Sequence, residues 1–128
     1  MTKEAVRTEA APAPFQGAPY SQAIKANGFV FVSGQLALHP GDKEIAIDGI
    51  GPQTEQVFVN LQAILEEAGS SLDRIVKTTV FLQDLADFPE MNEVYAARVG
   101  STPPARSTVE VAKLPSGALV EIEAIALV

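Results

Sequence analysis

Hydrophobic and polar residues alternate along two stretches near the C-terminal end of the chain. In residues 105–112, one predicted strand face carries polar side chains, namely Arg106, Thr108 and Glu110. In residues 118–128, apolar residues flank two acidic positions, Glu121 and Glu123. A period of two is typical of β-strands, and Pro115 and Gly117 between the stretches favour a tight connection. The pattern therefore predicts two strands that carry charges at positions otherwise suited to burial. Considered alone, such charges are more often structural ion pairs or a solvated face than a site.

Strand and helix patterns also alternate through the rest of the chain. Asn27-Gly28 lies between two apolar-rich runs and predicts a β-hairpin, because both residues tolerate a positive φ. Gly51-Pro52 opens a run with apolar residues at helical spacing that ends near Gly69. Residues 75–83 are rich in β-branched residues, which favours a strand. A second helix is predicted to begin at Asp87.

This ββαβαββ order predicts an α+β fold, a mixed β-sheet with two helices packed on one face, in a single domain over residues 15–128. Residues 1–14 mix charges with alanine and proline and have no apolar run, so we expect a flexible tail and not a secretory signal. The sheet face opposite the helices is predicted to carry valines, isoleucines and the charged residues. Such a face is too apolar to remain in water, which predicts self-association.

The composition argues against several classes of function. The 128 residues have a formal net charge of −7, which disfavours sequence-independent binding to nucleic-acid phosphates. The chain has no cysteine and one histidine, His39, which argues against thiol catalysis, a Ser-His-Asp triad, and thiolate or histidine metal sites. A carboxylate-only Mg²⁺ or Ca²⁺ site stays open, but the sequence has no Asp-rich loop with ligand spacing, and we expect neither metal nor cofactor. No apolar run is long enough to span a membrane, so the cytoplasm is the expected compartment.

Four motifs resemble one protein family. The run P-P-A-R-S-T-V-E-V-A-K-L-P-S-G-A-L-V-E-I-E-A-I-A at residues 103–126 closely resembles the C-terminal motif of the RidA/YjgF family of enamine/imine deaminases. P-Y-S-Q-A at 19–23, V-S-G-Q at 32–35 and M-N-E-V-Y at 91–95 resemble its other motifs. The resemblance extends from about Phe15 to Val128. It implies the family's chorismate-mutase-like sandwich, assembled as a homotrimer with three sites in clefts between subunits.

The resemblance also implies a reaction, the hydrolysis of reactive 2-enamino or 2-imino acids, such as 2-aminoacrylate, 2-iminopropanoate and 2-iminobutanoate, to 2-keto acids and ammonia. Matched to the motifs, Arg106 holds the substrate carboxylate and Glu121 positions or deprotonates the attacking water. The other implied substrate-binding residues are Tyr20, Ser33, Asn92, Ala105 and Thr108. Many relatives have cysteine where this chain has Thr108. Because the reaction uses no thiol nucleophile, we expect activity to survive that difference.

Two other classes of function stay open at this point. A non-catalytic trimer that binds a small molecule or a partner would show binding without turnover. RNA cleavage is also attributed to the family, but the acidic balance and the lack of basic-aromatic stripes argue against a nucleic-acid partner. The sequence does not fix the strand register, and so it leaves the distance from Arg106 to Glu121 open.

Overall fold

A computed structural model describes residues 2–128, which form six strands and two α-helices. The elements in chain order are β1 (Glu4–Val6), β2 (Ala23–Ala26), β3 (Phe29–Gln35), α1 (Ile50–Glu67), β4 (Ile75–Leu82), α2 (Phe88–Arg98), β5 (Ala105–Glu110) and β6 (Val120–Leu127). The predicted order is confirmed, with one additional strand at the start. The predicted hairpin joins β2 to β3, and both Asn27 (φ 53°) and Gly28 (φ 82°) have left-handed backbone angles.

One mixed sheet contains all six strands in the order β1-β2-β3-β6-β4-β5. Every neighbouring pair is antiparallel except β4 and β5, which are parallel and joined through α2. The two helices pack against each other, and α1 lies across β3 and β6 on one sheet face. The predicted α+β fold is therefore confirmed.

β5 and β6 are both present, but β4 lies between them. The short connection around Pro115–Gly117 therefore does not form a hairpin between adjacent strands. It carries the chain from the sheet edge at β5, past β4, to a central position at β6. This arrangement matters because it sets Arg106 and Glu121 two strands apart.

The core lies between the helices and the sheet. Apolar residues of α1 and of the inward sheet face are almost fully buried, including Val57, Phe58, Leu61, Val30, Val80, Val120 and Ile122. On β4 the alternation of buried and less buried side chains holds for Thr78, Val80 and Leu82. It fails at Val76, which is 37% exposed, because the β4–β6 register shifts between Ile75 and Lys77.

The sheet face away from the helices agrees with the prediction only in part. Val120 and Ile122 point toward the helices, while Glu121 and Glu123 point to the opposite face. That open face also carries apolar side chains, and Phe31 (45% exposed) and Leu127 (41% exposed) lie among them. The open face is thus a mixed apolar and acidic surface.

The prediction of a flexible tail over residues 1–14 is wrong for much of residues 2–14, and residue 1 lies outside the described residues. Strand β1 pairs antiparallel with β2, and Val6 and Ala11 are buried in the core. The side chain of Gln22, which is 3% exposed, bonds the backbone of Thr8 through both its oxygen and its nitrogen, and it also donates to the carbonyl of Pro12 (2.8 Å). This buried amide fixes the segment, because unsatisfied polar groups in the core are unfavourable.

Candidate active site

Three of the predicted site residues line one cleft of about 440 Å³ on the open sheet face, namely Tyr20, Ser33 and Glu121. The wall of the cleft is largely apolar and includes Phe15 and Leu38. A cleft of this size, with a few polar groups in an apolar wall, is typical of a small-molecule site.

A β-bulge shapes the floor of this cleft. Val32 pairs with Ala124 and Gln35 with Ile122, so β3 has one more residue than β6 across this interval. The extra residue falls at Ser33–Gly34 and locally interrupts the ladder. Bulges of this kind redirect side chains and are frequent beside active sites.

Gly34 allows the carboxylate of Glu121 to lie directly against the β3 backbone. A Cβ atom on Gly34 would be 2.0 Å from Oε2 of Glu121 and 2.9 Å from its Cδ. No side chain larger than hydrogen fits at this position unless the carboxylate moves. The position of Glu121 therefore depends on glycine at residue 34.

The environment of Glu121 raises the pKa of its carboxyl above the ordinary value of 4.5. Partial burial in the cleft is the larger cause, because it disfavours the charged form, and the negative charge of Glu123 adds to it. A carboxylate with a raised pKa is a stronger base at neutral pH than an ordinary glutamate. The electrostatics of the cleft thus suit a group that accepts a proton from water.

Tyr20 and Ser33 are held at the cleft by backbone contacts. The hydroxyl of Tyr20 accepts a hydrogen bond from the backbone N–H of Phe15 (2.5 Å), and the ring remains 42% exposed. Ser33 donates its hydroxyl to the carbonyl of Ser21 (2.6 Å), and its backbone N–H donates to the carbonyl of Gln22 (2.9 Å). These bonds connect the cleft to the chain segment before β2.

The predicted carboxylate anchor, Arg106, lies on the edge strand β5 on the helix side of the sheet. Its guanidinium carbon is 4.6 Å from the centre of the Tyr95 ring and 5.3 Å from that of Phe88, both on α2. Within residues 2–128 the ion pairs are Lys25–Glu4 and Arg98–Glu55, so no described carboxylate neutralises Arg106. An arginine held by aromatic rings, with its charge uncompensated, is available to an anionic ligand.

Two polar atoms on the same side of the sheet have no hydrogen-bond partner in the described chain. Oδ1 of Asn92, on α2, and Oγ1 of Thr108, on β5, are buried and unpaired. Asn92 lies between Phe88 and Tyr95 along one side of α2, and Thr108 follows Arg106 by two positions on the same strand face. Buried polar atoms without partners are uncommon, so this pair is suited to a bound ligand.

The structure divides the predicted site into two groups. The Arg106 group, on the helix side of the sheet, consists of Arg106, Asn92 and Thr108, and the Glu121 group, in the cleft on the open face, consists of Tyr20, Ser33 and Glu121. Arg106 pairs in register with Thr78, whose side chain is buried under the helices, whereas Glu121 pairs with Phe81 on the open face. Side chains of alternate residues point to opposite faces, so Arg106 and Glu121 lie on opposite sides of the same sheet. One protomer does not bring them together.

Ala105 belongs to neither group through its side chain. It pairs with Lys77 at the start of β5 and is exposed, with its Cβ directed to the face opposite that of Arg106. Its contribution to a site would come from its backbone groups next to Arg106.

The sequence did not predict three residues that shape the site: Gly34, Phe88 and Tyr95. The Tyr95 side chain is only 5% exposed and belongs to the core, but the same ring also contacts Arg106. The spacing of Phe88, Asn92 and Tyr95 by four and then three residues was the available signal, since it places all three on one side of a helix. For Gly34 there was no such signal, because its clash with Glu121 depends on the register of β3 and β6.

Within residues 2–128, no group of three or more His, Cys, Asp or Glu side chains is arranged to hold a metal ion. None of the helices in that range combines the length and apolar character that crossing a bilayer requires.

Comparison with known proteins gives consistent matches over nearly the whole chain. The sequence profile of the family described as endoribonuclease L-PSP matches residues 8–128. A RutC family protein of Pyrococcus abyssi is 52% identical over 126 residues, covering 98% of this chain and 98% of that protein. The chloroplastic Reactive Intermediate Deaminase A of Arabidopsis thaliana is 50% identical over 126 residues, covering 98% of this chain and 66% of that protein.

The fold comparison agrees with the sequence comparison. The crystal structure of RidA from the Antarctic bacterium Psychrobacter sp. PAMC 21119 superimposes with a TM-score of 0.91 at 45% identity, covering 98% of this chain and 99% of that one. Its similarity extends over both helices and the mixed sheet. The chain therefore belongs to the endoribonuclease L-PSP family, that of the RidA and YjgF proteins, as its C-terminal motif predicted.

Proposed function

We propose that this protein is a metal-free deaminase that hydrolyses reactive 2-imino acids, and their 2-enamino tautomers, to 2-keto acids and ammonia. The observation that carries the proposal is the uncompensated Arg106 guanidinium on the same side of the sheet as the unpaired atoms of Asn92 and Thr108. The name of the Arabidopsis relative, Reactive Intermediate Deaminase A, supports the same class of reaction.

The Arg106 group suits a substrate carboxylate. A guanidinium presents parallel N–H donors that match the two oxygens of a carboxylate, whereas lysine offers only a point charge. The aromatic rings of Phe88 and Tyr95 lie against the guanidinium and limit its rotation. The Asn92 and Thr108 oxygens then accept hydrogen bonds from the protonated nitrogen of the substrate or from an ordered water.

The Glu121 group suits activation of water. Ionised Glu121 accepts a proton from water as the water oxygen bonds to the carbon of the protonated imine, which gives a neutral carbinolamine. Glu121 returns that proton to the nitrogen, the C–N bond breaks, and the hydroxyl proton leaves with ammonia as ammonium. One water is consumed, one ammonium is released, and Glu121 is again ionised. Its raised pKa matches both halves of this transfer.

A site that uses both groups needs two protomers. We infer a homotrimer in which each site combines Arg106, Asn92 and Thr108 of one protomer with Tyr20, Ser33 and Glu121 of the next. Cyclic assemblies join different surfaces of neighbouring subunits, which is what a divided site requires. The exposed apolar residues of the open face, Phe31 and Leu127, support burial of that face in the trimer.

RNA cleavage is the competing activity, because the matching family carries the description endoribonuclease. The formal net charge of −7 opposes binding of a polyanion, and the chain supplies one histidine, His39. We therefore expect no ribonuclease activity in purified protein. Activity that co-purifies with the trimer and is lost in Arg106→Ala would instead favour the endoribonuclease.

A coupled assay tests the proposal. A pyridoxal-phosphate-dependent dehydratase generates 2-aminoacrylate or 2-iminobutanoate in place, and keto-acid release is followed with and without the protein. We expect acceleration over spontaneous hydrolysis. Loss of the charged hydrogen bonds in Arg106→Ala, at about 1.5–3 kcal/mol, lowers kcat/KM by roughly 10- to 150-fold. No acceleration by a folded wild-type trimer would refute the deaminase.

Subunit mixing tests whether the site is divided between protomers. Arg106→Ala and Glu121→Gln chains alone are each expected to keep at most about a tenth of the wild-type activity. After refolding together at equal amounts, about a quarter of the sites combine an intact Arg106 with an intact Glu121 from the neighbouring chain. Recovery of about a quarter of the wild-type activity supports the divided site, whereas no recovery in a verified mixed trimer would contradict it.

A further inference from the structure

Tyr95 and Phe88 contact Arg106 from different environments. The Phe88 ring is 37% exposed, whereas the Tyr95 ring is 5% exposed and lies closer to the guanidinium, at 4.6 Å. Within residues 2–128, no carboxylate pairs with Arg106. The two rings are therefore the described groups that set its orientation, and Tyr95 is the more firmly held of the two.

The Tyr95 ring is fixed through a buried hydroxyl pair. Its hydroxyl lies 2.6 Å from Oγ1 of Thr78, which is fully buried on β4. The edge of the ring also packs on Phe58 of α1, with centroids 5.5 Å apart and planes at 78°. Thr78 is the register partner of Arg106 across β4 and β5. The hydrogen bond thus ties the ring to the residue next to the arginine backbone.

We propose that Tyr95, through its hydrogen bond to Thr78, is a positioning residue for Arg106. The bond sets the tilt of the ring, and the ring sets the plane of the guanidinium toward Asn92 and Thr108. This inference rests on the proposed function in one respect, that Arg106 binds the substrate carboxylate. Tyr95 itself touches no substrate.

Two physical arguments support this role. A free arginine side chain populates many rotamers, and holding it in one orientation before binding lowers the entropy lost when a carboxylate binds. Packing alone does not require the hydroxyl pair, because phenylalanine and valine would fill the same volumes without two buried polar groups. The pair therefore contributes orientation that an apolar core would lack.

The test uses Tyr95→Phe, Thr78→Val and the double variant. The double variant removes both hydroxyls, leaves no unpaired polar group, and is expected to keep a melting temperature close to wild type. Ser70→Ala is the matched control, since it removes the hydroxyl bond from Ser70 to the Leu127 carbonyl, outside the Arg106 group. Three quantities are measured: KM and kcat for imine hydrolysis, the Kd of 2-oxobutanoate as an unreactive carboxylate, and the NMR signal of the Arg106 Nε–H group.

We expect the double variant to raise KM and Kd by about three- to tenfold, the cost of ordering one long side chain, and to leave kcat within about twofold of wild type. Ser70→Ala is expected to lower the melting temperature without changing either constant. A double variant with wild-type KM and Kd would overturn the proposal, as would KM values that follow the melting temperature across all variants.

The NMR signal separates this proposal from the proposed function. A wild-type protein without deaminase activity, whose Arg106 signal reports a restricted guanidinium that becomes mobile in the double variant, would refute the deaminase and leave Tyr95 as the positioning residue. An Arg106 signal that is equally mobile in wild type and in the double variant would refute the positioning, whatever the activity.

Discussion

Gly34→Ala is expected to lower deamination by displacing Glu121 while leaving the fold intact. The added Cβ would lie 2.0 Å from Oε2 of Glu121, and real Cβ contacts essentially never fall below 3.0 Å. The carboxylate must therefore move by about 1 Å or more, and a displacement of that size in a reacting group costs roughly 100-fold in rate. That factor corresponds to about 2.7 kcal/mol of lost transition-state stabilisation.

Stability should change little in the same variant. Gly34 does not have a left-handed φ, so alanine adopts its backbone angles without strain. The clash involves the end of a flexible side chain, and restriction of the unfolded chain by alanine contributes about 0.4–1 kcal/mol in favour of folding. We expect the free energy of unfolding, measured in urea, to stay within about 1 kcal/mol of wild type.

A double-variant cycle identifies the route of the effect. If Gly34→Ala acts through Glu121, then adding it to Glu121→Gln lowers kcat/KM no further, because the same contribution is already lost. A further 100-fold decrease in the double variant would mean that residue 34 acts through another group. Wild-type kcat/KM in a folded Gly34→Ala protein would refute the role of Glu121 in positioning water.

Three further predictions follow from the charges and the N-terminal segment. Glu123→Gln removes one cause of the raised Glu121 pKa, so the acidic limb of the plot of kcat/KM against pH should move to lower pH. An unchanged acidic limb would argue against Glu121 as the base. Because the folded-state pKa of Glu121 is raised, its contribution to stability falls as pH rises above about 4.5. At pH 7, Glu121→Gln should therefore unfold at a higher urea concentration than wild type, and the difference should disappear below pH 4.5. A variant that unfolds at a lower urea concentration than wild type at pH 7 would contradict a raised Glu121 pKa. Deletion of residues 2–12 should lower the free energy of unfolding by at least about 2 kcal/mol, because Gln22 loses its buried hydrogen bonds. An unchanged melting temperature would mean that the segment does not stabilise the fold.

The elements that the sequence predicted correctly are those with local causes. The hairpin at Asn27-Gly28 follows from two adjacent residues that accept a positive φ, and both have one. The helix predicted from Gly51-Pro52 begins one residue earlier, at Ile50, and ends at Glu67 as the apolar spacing indicated. The alternation on β6 assigned Glu121 and Ile122 to the correct relative faces.

The features that were missed depend on pairing between distant segments. Strand β1 is only three residues long, and its partner, β2, begins 17 residues after it ends, so no local pattern marks it. The placement of Arg106 and Glu121 on opposite sheet faces depends on two strand registers, that of β4 with β5 and that of β4 with β6. A one-residue slip in either would reverse the face of a side chain, and sequence periodicity does not fix a register.

The position of Arg106 and Glu121 on opposite sheet faces has a consequence for how activity depends on protein concentration. On the proposed function, a newly synthesised chain has no complete site until it assembles with another chain, so activity appears with a lag that reflects assembly. Dilution below the dissociation constant of the trimer would reduce turnover per chain steeply, whereas an enzyme with a complete site in each protomer would keep the same specific activity. The concentration of the protein would then act as a threshold for removal of its substrate.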